Sequence, residues 1–126
     1  MMARSKNRSS GGGGNRAAAY DDFWRFYLRV HANPRLRNWH YFGTALALCA
    51  LFGLAATASA WFLVLAVIGG YGPAWAGHVF VARNRPATFD HPLWSLISDF
   101  RMFWLWLAGG IDRELARAGV PVRRQR

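Results

Sequence analysis

From Tyr41 to Ala82 the chain carries no Asp, Glu, Lys or Arg. One helix needs roughly 20 apolar residues to cross a hydrocarbon core of about 30 Å, and this run is long enough for two. The turn between two such spans is expected near Ala58-Ser59-Ala60, where small and hydroxyl residues dilute the apolar sequence. His40 and His78 then stand equally far, 19 residues, on either side of Ser59. A helix rises about 1.5 Å per residue, so both imidazoles are expected about 28 Å from the tip, at one depth. His31 and His91 lie just outside them in the flanking segments, so all four histidines can meet in one layer.

The pattern on either side is different. Residues 1–19 hold SSGGGG and scattered basic residues with no apolar period, which reads as a disordered basic tail. From Tyr20 the sequence YDDFWRFYLRV sets aromatic and apolar residues at helical spacing. It predicts an amphipathic helix on the membrane surface, with Asp21 and Asp22 at its N-terminus. That helix is expected to stop near His31, because Pro34 disfavours helix at Asn33, and to restart at Pro34 or Arg35. In the first span Ala45, Cys49, Gly53 and Thr57 form a stripe of small side chains suited to close helix packing, with Cys49 read as a packing residue. Gly69, Gly70, Gly72 and Pro73 predict a break in the second span, forming the floor of a pocket that opens toward His78. Beyond Ala82, LWSLISDFRMFWLWLAGG contains Asp99 and Arg101. Each would cost roughly 2.5–3.5 kcal/mol at the centre of a membrane helix, so a half-inserted, Trp-rich helix covering the site is expected, with a third or fourth crossing as the alternative.

The fold class expected is an all-α integral membrane protein: a transmembrane hairpin with a broken second span, flanked by amphipathic, aromatic-rich helices. Residues 20–110 form its membrane-embedded domain and residues 111–126 a basic C-terminal tail. Composition agrees, since 53% hydrophobic and 16% aromatic residues with seven Trp exceed what a soluble domain of 126 residues can bury. The net charge of +10 comes from sixteen basic residues, eight before the uncharged run and eight after it. Short basic flanks stay in the cytoplasm, which puts both termini there, and the Ala- and Arg-rich character suggests a bacterial inner membrane. The tail charges suit anionic headgroups, with no specific nucleic acid partner expected.

Candidate chemistry rests on the histidines. Imidazole suits Zn, Cu, Fe and Ni, and a catalytic site keeps a coordination position open. Asp90 and Asp99 are the carboxylates that could complete a facial triad. Arg83, Asn84 and Arg85 could hold a substrate carboxylate, Arg by a bidentate pair. Neither a zinc-finger spacing nor a Ser-His-Asp pattern is present. A non-catalytic small membrane protein binding lipid or a partner helix, its histidines satisfying the interface, is the alternative that composition leaves open.

FWRFYLRVHANPRLRNWHYFGT, followed by GYGPAWAGHVFVARNRPATFDHPLWSLISDFRMF, resembles the family known as domain of unknown function 962. Fungal endoplasmic-reticulum 2-hydroxy fatty acid dioxygenases typify that family. The likeness spans residues 20 to 108. It implies a membrane-bound, Fe(II)-dependent dioxygenase, with zinc less favoured, that shortens a 2-hydroxy acyl chain by one carbon using dioxygen. Carried over by position, it implies His31, His40, His78 and His91 as the metal-binding and catalytic set. Two positions depart from the family pattern: Val30 and Ala82 stand where acidic residues are common.

Overall fold

The computed structural model describes residues 12–86 and 90–121. Helix α1 spans Gly12–Val30, α2 Pro34–Thr57, α3 Trp61–Ala76, α4 Pro92–Ala108 and α5 Ile111–Arg117, and a π-helical turn, Gly77–Ala82, continues α3. Among the described residues there is no strand. The all-α expectation holds, and two helices, Pro34–Thr57 and Trp61–Ala82, are long and apolar enough to cross a bilayer.

The hairpin turns where the small residues stand. Thr57 ends α2, Ala58 adopts the left-handed conformation (φ 55°) and donates its N–H to Leu54, and α3 begins at Trp61. At the other end Asn33 caps α2, its side chain accepting from the Arg35 N–H at 2.9 Å, with Pro34 in the first turn where a missing donor costs nothing.

The predicted break at Gly69–Pro73 is not there. Helix α3 runs through these residues with Pro73 inside it, and the departure from α geometry comes later, in the π turn. The glycines serve contact instead. A Cβ on Gly43 would stand 2.8 Å from the Gly70 carbonyl oxygen and 3.1 Å from that of Gly69, and one on Gly69 would meet Leu46 Cβ at 3.1 Å. The packed face of α2 is therefore Gly43, Ala47, Ala50 and Gly53, which shares only Gly53 with the expected stripe. Cys49 and Thr57 are exposed and Ala45 is half-buried, so Cys49 is not a packing residue.

Helix α1 begins at Gly12, not Tyr20, so Asp21 and Asp22 lie mid-helix and exposed rather than at an N-terminus. The expectation of a disordered tail concerns residues 1–11 otherwise, and those lie outside the described residues. Phe23, Trp24, Tyr27 and Leu28 form the buried face of α1, packed against α4 and α5, so the expected surface helix is part of the core. Ile111, Leu115, Ala118 and Val120 complete that core, so the first residues of the expected C-terminal tail are a packed helix. Residues 122–126 lie outside the described residues.

Helix α4 has its polar side inward. Ser95, Ser98 and Met102 are buried, Tyr20 and Ser98 share a hydrogen bond of 3.1 Å, and Arg101 lies 4.3 Å above the Trp24 ring. Its outward residues are Leu93, Leu96, Ile97, Trp104 and Leu107, with Trp104 68% exposed. Both charges of this helix, Asp99 and Arg101, have partners on α1.

Gly43→Ala is expected to destabilise the purified protein by about 1–3 kcal/mol, because the rigid Gly69 and Gly70 carbonyls cannot yield. A Cβ on Gly72 meets nothing within 4 Å, so Gly72→Ala is expected to be neutral or stabilising by roughly 0.5–1 kcal/mol. Thermal midpoints in detergent check both, and equal losses would refute close helix approach as the role of Gly43.

Candidate metal centre

Three buried histidines meet where α1, α2 and the π turn converge. His31 follows the last residue of α1, His40 lies in the second turn of α2 and His78 is the second residue of the π turn. Nε2 of His31 is 2.9 Å from Nε2 of His40, which is 3.0 Å from Nε2 of His78. One ligand atom from each lies within 4.8 Å of the others. The hairpin thus brings His40 and His78 to one depth. Gly77 permits it, since a Cβ there would meet Trp39 Cβ and Leu36 Cδ1, both at 2.9 Å.

The other ring nitrogens say where the protons are. Nδ1 of His31 lies 2.7 Å from the Tyr27 carbonyl oxygen. A carbonyl only accepts, so Nδ1 carries the hydrogen and Nε2 a bare lone pair. Nδ1 of His78 lies 2.6 Å from Asn84 Oδ1, whose amide nitrogen donates to the Val30 carbonyl at 2.9 Å. The same conclusion follows for His78. Nδ1 of His40 is buried without a well-formed hydrogen bond, and Asp99 Oδ1 stands 3.3 Å from it. The Nε2 lone pairs of His31 and His78 therefore converge on Nε2 of His40 in a site closed to water, where a cation, or a proton on His40 Nε2, offsets their repulsion.

Two of the three spacings suit donors that share an ion. With metal–nitrogen bonds of about 2.0–2.1 Å, donors at right angles stand about 2.9 Å apart and tetrahedral donors about 3.3–3.4 Å apart. The His31–His40 and His40–His78 separations match the right-angled case, and the three ligand atoms together lie within 4.8 Å. Neutral imidazoles suit first-row transition metals.

His91 is not in this group. It is exposed, stacks on Trp94 at 4.8 Å between ring centroids and meets Phe23 edge-on at 5.3 Å. Asp90 faces Arg85 at 3.8 Å on the surface. Asn84 is occupied with His78 and Val30, while Arg83 ends the π turn in the left-handed conformation (φ 51°). Sequence reasoning missed Tyr27, whose ring stacks on His31 at 4.0 Å and whose hydroxyl donates to Asp99. It also missed Arg37, which donates to the carbonyls of His31 and Ala32 at 2.9 Å each. The helical spacing of Tyr27 and His31 was the available signal. Burial, and then the Asp99 carboxylate, push the Tyr27 phenol well above its ordinary range, so it remains a donor.

An apolar groove of about 320 Å³ runs between α2, α3 and α4 toward this centre. Leu51 and Leu63 line it near the hairpin tip, and Thr44, Tyr71 and Asp99 supply the polar groups at the end nearer the histidines.

A family model described as 2-hydroxy-palmitic acid dioxygenase Mpo1-like matches residues 17–111, about three quarters of the sequence. The chain belongs to this family. No curated protein and no solved structure gives a match.

Alanine at His31, His40 or His78 is expected to abolish stoichiometric metal in the purified protein, whereas His91→Ala retains it, as elemental analysis would show. Burial, followed by the His40 charge, pushes His31 well below its ordinary range. In the unfolded chain His31 takes a proton near pH 6.5 but in the fold only at lower pH. Metal should therefore stay bound as pH falls through 6.5 and be lost below it, while stability of the metal-free protein declines across that window. Metal loss at or above pH 6.5 would contradict this.

Proposed function

We propose that this member of the Mpo1-like family is a membrane-embedded, Fe(II)-dependent dioxygenase acting on 2-hydroxy fatty acids and shortening them by one carbon. The observation that carries the reading is the convergence of three buried Nε2 atoms, from His31, His40 and His78, near the polar end of an apolar groove. Bound ferrous iron would supply a redox-active centre for dioxygen and a Lewis acid for the hydroxy acid's oxygens.

What the chain's own residues contribute follows from their places. The groove takes the acyl chain, its Leu and Val walls excluding water along the hydrocarbon. Along α2 from His40 to Leu51 the rise is about 16 Å, room for an extended chain of about a dozen carbons. The hydroxy-acid end then lies beside the histidines, where the ring stack of Tyr27 on His31 closes one side. We assign Arg83 and Arg85 to the substrate carboxylate, since they follow the His78 turn. Asn84, expected to join them, instead holds the His78 ring.

Immersion in a bilayer is part of the proposal, and the surface supports it. Phe52 and Phe80 are 78% and 79% exposed, and apolar residues cover the outside of α2, α3 and α4 while polar groups turn inward. Water would favour the reverse. We place both termini in the cytoplasm of a bacterial inner membrane, because every basic residue flanks the uncharged hairpin.

Iron-reconstituted protein in detergent should consume oxygen with 2-hydroxypalmitate, yield a product one carbon shorter and leave palmitate untouched. Bound iron without oxygen uptake would keep the centre and reject the reaction. Leu51→Trp, placed toward the far end of the groove, is expected to lower kcat/KM for long chains about tenfold or more while sparing short ones. An unchanged chain-length profile would remove the groove from the proposal.

A further inference from the structure

Asp99 reaches His40 from a different helix. Its Oδ1 lies 3.3 Å from His40 Nδ1 and accepts the hydrogen bond of the Tyr27 hydroxyl, so α4, α2 and α1 meet at one carboxylate oxygen. The two side chains are 14% and 6% exposed, and an acidic residue in so dry a place is costly without partners. His31 takes its acceptor from the preceding turn of its own chain and His78 from the loop that follows it. His40 sits inside an α-helix whose carbonyls are engaged in the helix itself. Asp99 is the acceptor that the described residues offer to its Nδ1.

We propose that Asp99, steadied by Tyr27, is a positioning residue that fixes the tautomer and ring orientation of His40, keeping Nε2 unprotonated and aimed at the other two histidines. This rests on reading the three histidines as a metal centre. It also separates two roles for Asp99, ligand and support. The carboxylate faces Nδ1, whereas the converging nitrogens are Nε2, on the opposite side of the ring. A carboxylate that accepts from a ligating imidazole orients it and raises its basicity, and loss of such support weakens metal binding by about 10–100-fold.

The test is titration of metal-free, full-length protein in detergent with Co(II), whose visible spectrum reports the ligand set. Asp99→Leu is expected to weaken Co(II) binding by about 10–100-fold. Asp99→Asn keeps an acceptor for Nδ1–H but not the charge, and should lose about tenfold. Tyr27→Phe should fall between Asp99→Asn and wild type. Tyr20→Phe, which breaks the neighbouring contact with Ser98 between the same two helices, should leave affinity unchanged even if the protein melts earlier. The saturated spectrum should keep its shape throughout. Should Asp99→Leu fail to fold, the near-isosteric Asn variant decides. Wild-type affinity in Asp99→Asn overturns the inference, as does a saturated spectrum that has lost a ligand, which would make Asp99 a ligand. Wild-type protein that binds no Co(II) would sink the metal centre itself, a different failure from wild type binding and Asp99→Asn binding equally.

Discussion

Close approach of α2 and α3 is the constraint on which the histidine centre depends. Two helices that are apolar on most of their surface come this close only where small residues let the backbones meet. Gly43 lets the carbonyls of Gly69 and Gly70 come against α2, and Gly77 admits Leu36 and Trp39. These contacts bracket the chemistry: His40 stands three residues before Gly43 and His78 one residue after Gly77.

The third histidine enters by another route. Helix α1 holds its place by burying Phe23, Trp24, Tyr27 and Leu28 against α4 and α5, with Trp24 donating to Glu114 at 3.2 Å and lying beneath Arg101. The charged and hydroxyl groups of α4 thereby find partners inside, and its Leu, Ile and Trp residues face out. Such a helix would be inverted in water. The inward partners lower the cost of Asp99 and Arg101, which the sequence alone made look prohibitive.

Much of this was legible in the chain. An uncharged run long enough for two spans, small residues at its middle and histidines placed symmetrically about Ser59 sufficed for the hairpin and for the meeting of His40 with His78. Val30, Asn33 and Pro34 marked the end of α1 and the start of α2. What misled was residue type without its neighbours. Glycine and proline at 69–73 read as a break, yet a helix tolerates them when a second helix packs on the glycines. A stripe at every fourth residue starting from Ala45 caught Gly53 but not the rest of the contact, because a helix repeats every about 3.6 residues and the packed face mixes steps of four and three from Gly43. His91 shares the residue type of the other three but not their burial. Ala82 offers His78 no carboxylate, and Asn84, two residues on, accepts the His78 proton, a role that no spacing rule identifies.

The end of α1 shows why these pieces cohere. A helix terminus leaves carbonyls without donors, and in a dry site each must be satisfied. The Tyr27 carbonyl takes both the backbone N–H and the ring Nδ1–H of His31, Val30 takes the amide of Asn84, and His31 and Ala32 share Arg37. Two of these donors belong to α2 and to the loop after the π turn, and Asn84 holds His78 with its other end. The hydrogen-bond deficit common to every helix end is here met by the groups that carry or orient the histidines. Docking α1 and assembling the centre are consequently one event, and neither can be loosened without the other.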